Sequence, residues 1–214
     1  MITLGLDPSL TGFGWCIHDS QAEGVARIVA RGIFVTRANE IFIDRYVFLR
    51  ESVSQIIAAH PEVEAVGVES PPFGALWSEG LYGLFLYVNE AIRRHRKDVV
   101  FFDPTSVKML AKGDPKARPG PMHKSDMVET VRFDTGLTGR LNHNEADAYL
   151  VARSAARFWE FLAGVITEGE LTPAETQAFV KVHTFQRGAK AGQTVMQGAV
   201  YKENQRFFRF SQLP

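Results

Sequence analysis

Three acids far apart in the chain each stand where an apolar run gives way to a turn or a helix begins: Asp7, Glu69 and Asp147. Asp7 closes the run Ile2-Thr3-Leu4-Gly5-Leu6 and precedes Pro8-Ser9-Leu10-Thr11-Gly12, a strand followed by a tight turn. Glu69 closes a second run from Val63 to Val68 and precedes Ser70-Pro71-Pro72-Phe73-Gly74. Asp147 falls near the start of a helix opening at Asn142, where His143 four residues before it or Asn144 three before it shares its face. A carboxylate at the end of a strand covered on both faces is costly unless it binds something, and the natural partner is a metal ion. Singly, each acid has an ordinary explanation in turn chemistry, solvation or the helix dipole. Together they form a coherent metal site.

A second chemical signal is local and basic. Lys108, Lys112, Lys116, Arg118 and Lys124 face the single acid Asp114 in a segment broken by Gly113, Pro115, Pro119, Gly120 and Pro121. This pattern predicts a mobile basic loop from Lys108 to Lys124. Beside a carboxylate site, such a loop suits a phosphodiester, because phosphate contacts supply most of the affinity for a nucleic acid. A solubilising loop is the plain alternative. The whole chain has 24 Lys and Arg against 24 Asp and Glu, so no global field draws it to DNA or to a membrane, and nucleic-acid binding has to use local patches.

The elements that position these groups read as α/β. The opening hairpin to Ile17 and a third strand from Val25 to Thr36 predict an antiparallel meander. Asn39 is placed to cap a helix with the stripe Phe42, Tyr46, Leu49, Val53, Ile56 and Ile57. The strand ending in Glu69 follows, and a crossover helix between parallel strands brings strand ends together where ligand sites form. A helix from Leu76 to His95, apolar around nearly its whole circumference, is expected to be covered by the sheet and by a second subunit. Val99 to Phe102 makes a fifth strand, Asp103-Pro104-Thr105 opens a short helix, and further helices cover Ser125 to Phe133 and Leu141 to Leu162. At 214 residues and 45% hydrophobic content, one domain with an appendage is expected. The single Cys16 in an apolar run, the lack of a basic-then-apolar leader and the lack of a bilayer-length apolar run predict a cytoplasmic protein with no membrane role.

Leu6-Asp7-Pro8-Ser9-Leu10-Thr11-Gly12-Phe13-Gly14-Trp15, Val68-Glu69 and His143-Asn144-Glu145-Ala146-Asp147-Ala148 resemble the three acidic signatures of the RuvC-type Holliday junction resolvases. The resemblance covers residues 1 to 163. It implies an RNase H-like fold, a five-stranded mixed sheet of three antiparallel N-terminal strands plus parallel strands, flanked by helices. It also implies Asp7, Glu69 and Asp147 as metal ligands. The family's fourth ligand, an Asp or His three residues before the last acid, falls on Asn144, so either Asn144 or His143 completes the set. The family's two functional lysines map onto Lys108 and Lys124, and an aromatic that enters the junction maps onto Phe73.

By that likeness the chain is a metal-dependent endonuclease that resolves four-way or other branched DNA by paired symmetric nicks, leaving 5′-phosphate and 3′-hydroxyl ends. Two divalent ions about 3.5–4 Å apart would activate water and stabilise the leaving oxygen, with Asp7 bridging them and Lys124 steadying the phosphate. Carboxylates are hard ligands suited to Mg²⁺, with Mn²⁺ as substitute, and a homodimer would present two sites to the paired strands. Two rivals are a fold of this kind that only binds branched DNA, and an actin-like ATPase; for the latter, the second Asp-Gly phosphate hairpin and the adenosine motif are lacking. Residues 164 to 214 lie outside the resemblance. There Thr172-Pro173-Ala174-Glu175 makes a capping box, Phe179 to Phe185 and Val195 to Tyr201 suggest strands, and the segment reads as a DNA-contacting or dimer-stabilising tail or as packing over the core.

Overall fold

The computed structural model describes residues 1–71, 79–113 and 122–180, together with the backbone of 182–184, 194–196, 199–201 and 208–209. Strands β1 (Ile2–Asp7), β2 (Phe13–Asp19) and β3 (Ile28–Phe34) form the expected antiparallel meander. Helix α1 (Phe42–Ala59) crosses to β4 (Ala65–Glu69), which runs parallel to β1, and α2 (Glu79–Arg94) crosses to β5 (Asp98–Phe102), parallel to β4. Then come α3 (Pro104–Lys112), α4 (Lys124–Thr135) and α5 (His143–Leu162). The five-stranded mixed sheet is ordered β3-β2-β1-β4-β5.

Strand alternation sorts the side chains into two cores. Leu4, Leu6, Val66 and Val68 pack on one face with Leu49, Val53 and Ile57 of α1 and Leu84, Val88 and Ile92 of α2. Cys16, Ala65, Val100 and Phe102 pack on the other with Tyr149, Leu150, Val151, Ala155 and Phe158 of α5. Thr3 and Gly5 share the second face, where the Thr3 hydroxyl donates to the Ala152 carbonyl at 2.9 Å. Asp7 has the parity of Thr3 and Gly5, and Glu69 that of Ala65 and Gly67, so both acids leave the sheet on the α5 side.

Helix α5 lies unusually close to that face. A Cβ placed on Gly5 would stand 2.1 Å from the Ala148 carbonyl oxygen and 2.4 Å from the Ala152 nitrogen, and one on Gly14 would stand 2.1 Å from the Asn144 carbonyl oxygen. The sheet therefore presents bare backbone to a helix that itself carries Ala146, Ala148, Ala152 and Ala155, all buried. Close approach of this kind needs small residues on both sides.

Several expectations change. The first long helix starts at Phe42 behind Ile41, whose extended backbone forms the N-cap with no side-chain bond, so Asn39 is not the cap. Gly24–Arg27 is a short 3-10 turn, which shortens the third strand to Ile28–Phe34. Helix α2 leaves Tyr82 36% and Leu86 68% exposed in this single chain, on the part of its circumference expected to meet a second subunit. Lys108 and Lys112 are not loop residues, because Asp103 caps α3 by accepting from the Thr105 and Ser106 nitrogens at 2.9 and 3.0 Å, and the helix runs on to Lys112. Lys124 opens α4.

Beyond Leu162 the chain returns to the core. Thr172 and Glu175 form the expected capping box of a short helix, α6 (Pro173–Glu175), which runs into a π-helical turn, Thr176–Val180. Phe179 belongs to that turn and not to a strand, and it is 1% exposed, edge-on to Phe158 with ring centroids 5.4 Å apart. Arg157 of α5 binds both carboxylate oxygens of Glu175, at 2.8 and 3.2 Å, and the Ala174 nitrogen donates to the Gly113 carbonyl at the end of α3. Further on, β6 (Val182–Thr184) and β7 (Thr194–Met196) pair in a separate ladder. The short strands β8 (Ala199–Tyr201) and β9 (Phe208–Arg209) add to the β5 edge and extend the sheet to seven. We expect Phe179→Ala to cost about 3–5 kcal/mol, the range for emptying a buried aromatic site. A denaturant midpoint equal to wild type would show that residues after 162 add nothing to the core.

Candidate active site

Register sets the first two acids side by side. Leu6 pairs with Val68 across the parallel β1–β4 ladder, so Asp7 and Glu69 follow at the ends of adjacent strands. Asp147 arrives from above, one turn past Asn144, whose backbone rests on Gly14, the β2 residue paired with Asp7. The N-terminus of α5 is fixed by a capping box: the Asn142 side chain accepts from the Asn144 nitrogen at 2.9 Å, and Glu145 accepts from the Asn142 nitrogen at 2.9 Å.

These residues open into a cleft of about 470 Å³. Asp7, Glu69, Asp147 and Asn144 line it together with Lys108, from the middle of α3, and Lys124, the first residue of α4. Ser9, Pro104, Met122, His123 and Met127 complete the lining. Of the two alternatives for the fourth ligand, Asn144 is among the lining residues and His143 is not. Lys112 ends α3 outside the lining. Phe73, Lys116 and Arg118 lie outside the described residues. Ser9 and His123 were not singled out as site groups from the sequence; their signal was adjacency, to Asp7 across the turn and to Lys124 in the chain.

The electrostatics of the cleft are those of too much negative charge in too little water. Burial, then the neighbouring Asp147, pushes the Asp7 carboxyl up to about 7, with Lys124 pulling the other way. Burial, then Asp7 and Asp147, pushes Glu69 up to about 8, against Lys108. Burial raises Asp147 to about 6, against Lys124 and Lys108. Burial, helped by Lys124, lowers the His143 imidazole below its ordinary value. Two lysines therefore do not neutralise three acids, and a further positive charge would be welcome. Among the described residues no three His, Cys, Asp or Glu side chains are gathered into a ready coordination sphere.

No family model matches the chain. Among curated proteins, the crossover junction endodeoxyribonuclease RuvC of Rickettsia rickettsii (strain Sheila Smith) is 25% identical over 154 residues, which is 71% of this chain and 94% of that protein. The RuvC of Rickettsia felis is also 25% identical, over 156 residues, 71% of this chain and 95% of that protein. Among solved structures, Thermus thermophilus RuvC superposes with a TM-score of 0.62 over 75% of this chain and 96% of that one, at 23% identity. The chain has the RuvC fold. A second RuvC structure, the T. thermophilus protein in complex with Holliday junction substrate, matches at a TM-score of 0.59 and 22% identity, over 75% of this chain and 96% of that one. This chain spans nearly all of each RuvC it matches, while each covers only about three quarters of it, so it carries sequence those proteins lack. The RNase H-like layering and strand order expected of a RuvC-type sheet are thus present.

Proposed function

We propose that this protein is a divalent-metal-dependent endodeoxyribonuclease that resolves four-way DNA junctions by paired symmetric nicks. The observation that carries the reading is the convergence of Asp7, Glu69 and Asp147 on one cleft with Lys108 and Lys124. The likeness to proteins named crossover junction endodeoxyribonuclease supplies the substrate class. Residues 1–163 form the nuclease unit in this reading and 164–214 its extension.

The donor set fits a hard divalent cation. It consists of carboxylates and an amide with no thiolate, and its acids are held above their ordinary pKa by burial and, for Asp7 and Glu69, by the neighbouring acids, which a bound cation would offset. Asp7, Glu69 and Asp147, with Asn144 beside them in the lining, would hold Mg²⁺ or Mn²⁺. When bound, the ions would lower the pKa of a ligated water and offset charge building on the phosphate. The chain's own part is positioning. Lys124 and Lys108 hold the scissile phosphate in line with the acids, and the basic segment with Lys112, Lys116 and Arg118 grips the flanking backbone. Phe73 would enter the junction. By the likeness to the RuvC resolvases, cleavage leaves a 5′-phosphate and a 3′-hydroxyl.

A homodimer is the assembly that offers two such sites to two strands. Exposed apolar side chains on α1 and α2 suit it: Phe42 is 55%, Phe48 48% and Leu86 68% exposed. No described helix is long and apolar enough to cross a membrane. The cytoplasm, where the DNA is, is the compartment this reading assigns.

A labelled four-way junction with Mg²⁺ tests the function: paired nicks at symmetric positions are expected, chelator should abolish them, and a retarded complex that is never cut would favour a binding module. Lys124→Met should lower kcat on the junction about 10²-fold with a smaller loss of affinity, since one of several phosphate contacts is removed but a transition-state charge partner is lost. Equal losses in kcat and in binding of uncut junction would remove Lys124 from the chemistry.

A further inference from the structure

Edge strand β3 reaches over the sheet end to the start of α5 through one side chain. Arg31 pairs with Cys16 in the β2–β3 ladder, and its guanidinium places Nη1 2.7 Å from Glu145 Oε1 while Nη2 donates to the Arg140 carbonyl at 2.8 Å. Both partners are largely shielded, at 23% and 14% side-chain exposure, so the pair is only partly screened by solvent. Glu145 spends its other oxygen, Oε2, on the Asn142 nitrogen, and Asn142 in turn accepts from the Asn144 nitrogen. A continuous path therefore runs from β3 through Arg31, Glu145 and Asn142 to Asn144, one turn before Asp147. The Arg140 bond ties down the loop that leads into the helix.

The geometry points to Arg31 and Glu145 as a positioning pair that sets the register of Asn144 and Asp147 against Asp7. Neither residue lines the cleft. The alternative is a clamp that adds stability alone. Gly14 limits how closely α5 can approach, because its bare backbone meets Asn144, but a contact of that kind does not stop the helix start from rotating or lifting. The ion pair does, because a bidentate reach from a strand to two points of one loop-to-helix junction leaves it a single orientation. The inference rests on the metal-site reading above, and its test separates the two.

The measurement is Mn²⁺ affinity, by electron paramagnetic resonance of free ion, on the full chain carrying Arg31→Met, Glu145→Gln, both together, or Arg31→Lys. Glu145→Gln keeps an oxygen for the Asn142 nitrogen and so isolates the ion pair from the cap. We expect each single variant to weaken Mn²⁺ binding about 10-fold, the lower end for groups that orient metal ligands. The double variant should be no worse than either, because the two act as one unit. Arg31→Lys should recover part of the loss, and affinity for uncut junction without metal should not change. Wild-type protein that binds Mn²⁺, with variants that bind it equally well and differ only in melting temperature, would overturn the pair's role and leave the site standing. Wild-type protein that binds no Mn²⁺ would overturn the site and the pair with it.

Discussion

Asp7→Asn is expected to lose junction cutting by on the order of 10³-fold or more while keeping most of its affinity for the uncut junction. The substitution removes one of the three carboxylates of the cleft, and with it a charge that would hold the proposed cations. It leaves Lys108, Lys124 and the basic segment untouched, and these supply the grip. The same change should make the metal-free protein more stable at neutral and higher pH. The Asp7 carboxyl is raised in the folded state to about 7 from an ordinary 3.8. For an acid raised on folding, the stabilising contribution is complete below the ordinary value and fades as pH climbs through the folded-state value. Above about pH 7 the fold therefore carries an unwelcome charge that asparagine would not bring. A rise on the order of 1–2 kcal/mol, or about 2–8 °C in Tm for a chain this long, is expected at pH 8 without metal, shrinking as the pH is lowered toward 5. Wild-type cutting by the variant would remove Asp7 from the chemistry. A melting temperature lower than wild type at pH 8 would show that the acid is not strained.

Gly5→Ala is the second large effect. Its new methyl would stand 2.1 Å from the Ala148 carbonyl and 2.4 Å from the Ala152 nitrogen, both helix backbone, so no side chain can turn aside and α5 itself has to move. Overpacking in a dense core costs about 1–3 kcal/mol and more where backbone shifts. The functional loss should exceed the stability loss. Moving α5 by about 1 Å carries Asn144 and Asp147 away from Asp7, and a misplacement of that size costs on the order of 10²-fold in rate. Gly139→Ala is the control, because nothing lies within 4 Å of its added carbon. Thermal melts and single-turnover cutting, at a temperature where both variants are folded, separate the two effects. Equal rates for Gly5→Ala and wild type would show that α5 is not what sets the site.

How much of this was legible beforehand follows from where each signal resides. Asp7, Glu69 and Asp147 could be read because an acid at the end of an apolar run is a local pattern, and the strand order that unites them follows from the crossover rules. The choice between His143 and Asn144 could not. Both share a face with Asp147 at helical spacing, and only the packing of α5 on the sheet places Asn144 in the cleft lining. Lys108 was misplaced in a loop because Gly113 and the prolines that follow dominated the window. Asp103 with Pro104 behind it, a strong helix start, carries α3 far enough to hold the lysine rigidly near Glu69. Helix α1 starts three residues after the Asn39 that should have capped it. The chain enters through Ile41 in extended backbone, and the buried Arg45, which donates to the Leu10 carbonyl at 2.7 Å and the Thr36 hydroxyl at 2.8 Å, anchors that first turn instead. The role of Gly5, Gly14 and Gly67 as the seat of α5 depends on contacts more than eighty residues away in sequence, which no local pattern encodes.

Crystals soaked in Mn²⁺ and measured at the manganese absorption edge would test the central claim most directly. Anomalous peaks should appear between Asp7, Glu69 and Asp147, with carboxylate oxygens drawn in to about 2.1–2.2 Å, close to the Mg²⁺ distance for the slightly larger ion. Mn²⁺ bound elsewhere, with these three side chains left apart in a protein that still nicks junctions, would contradict it.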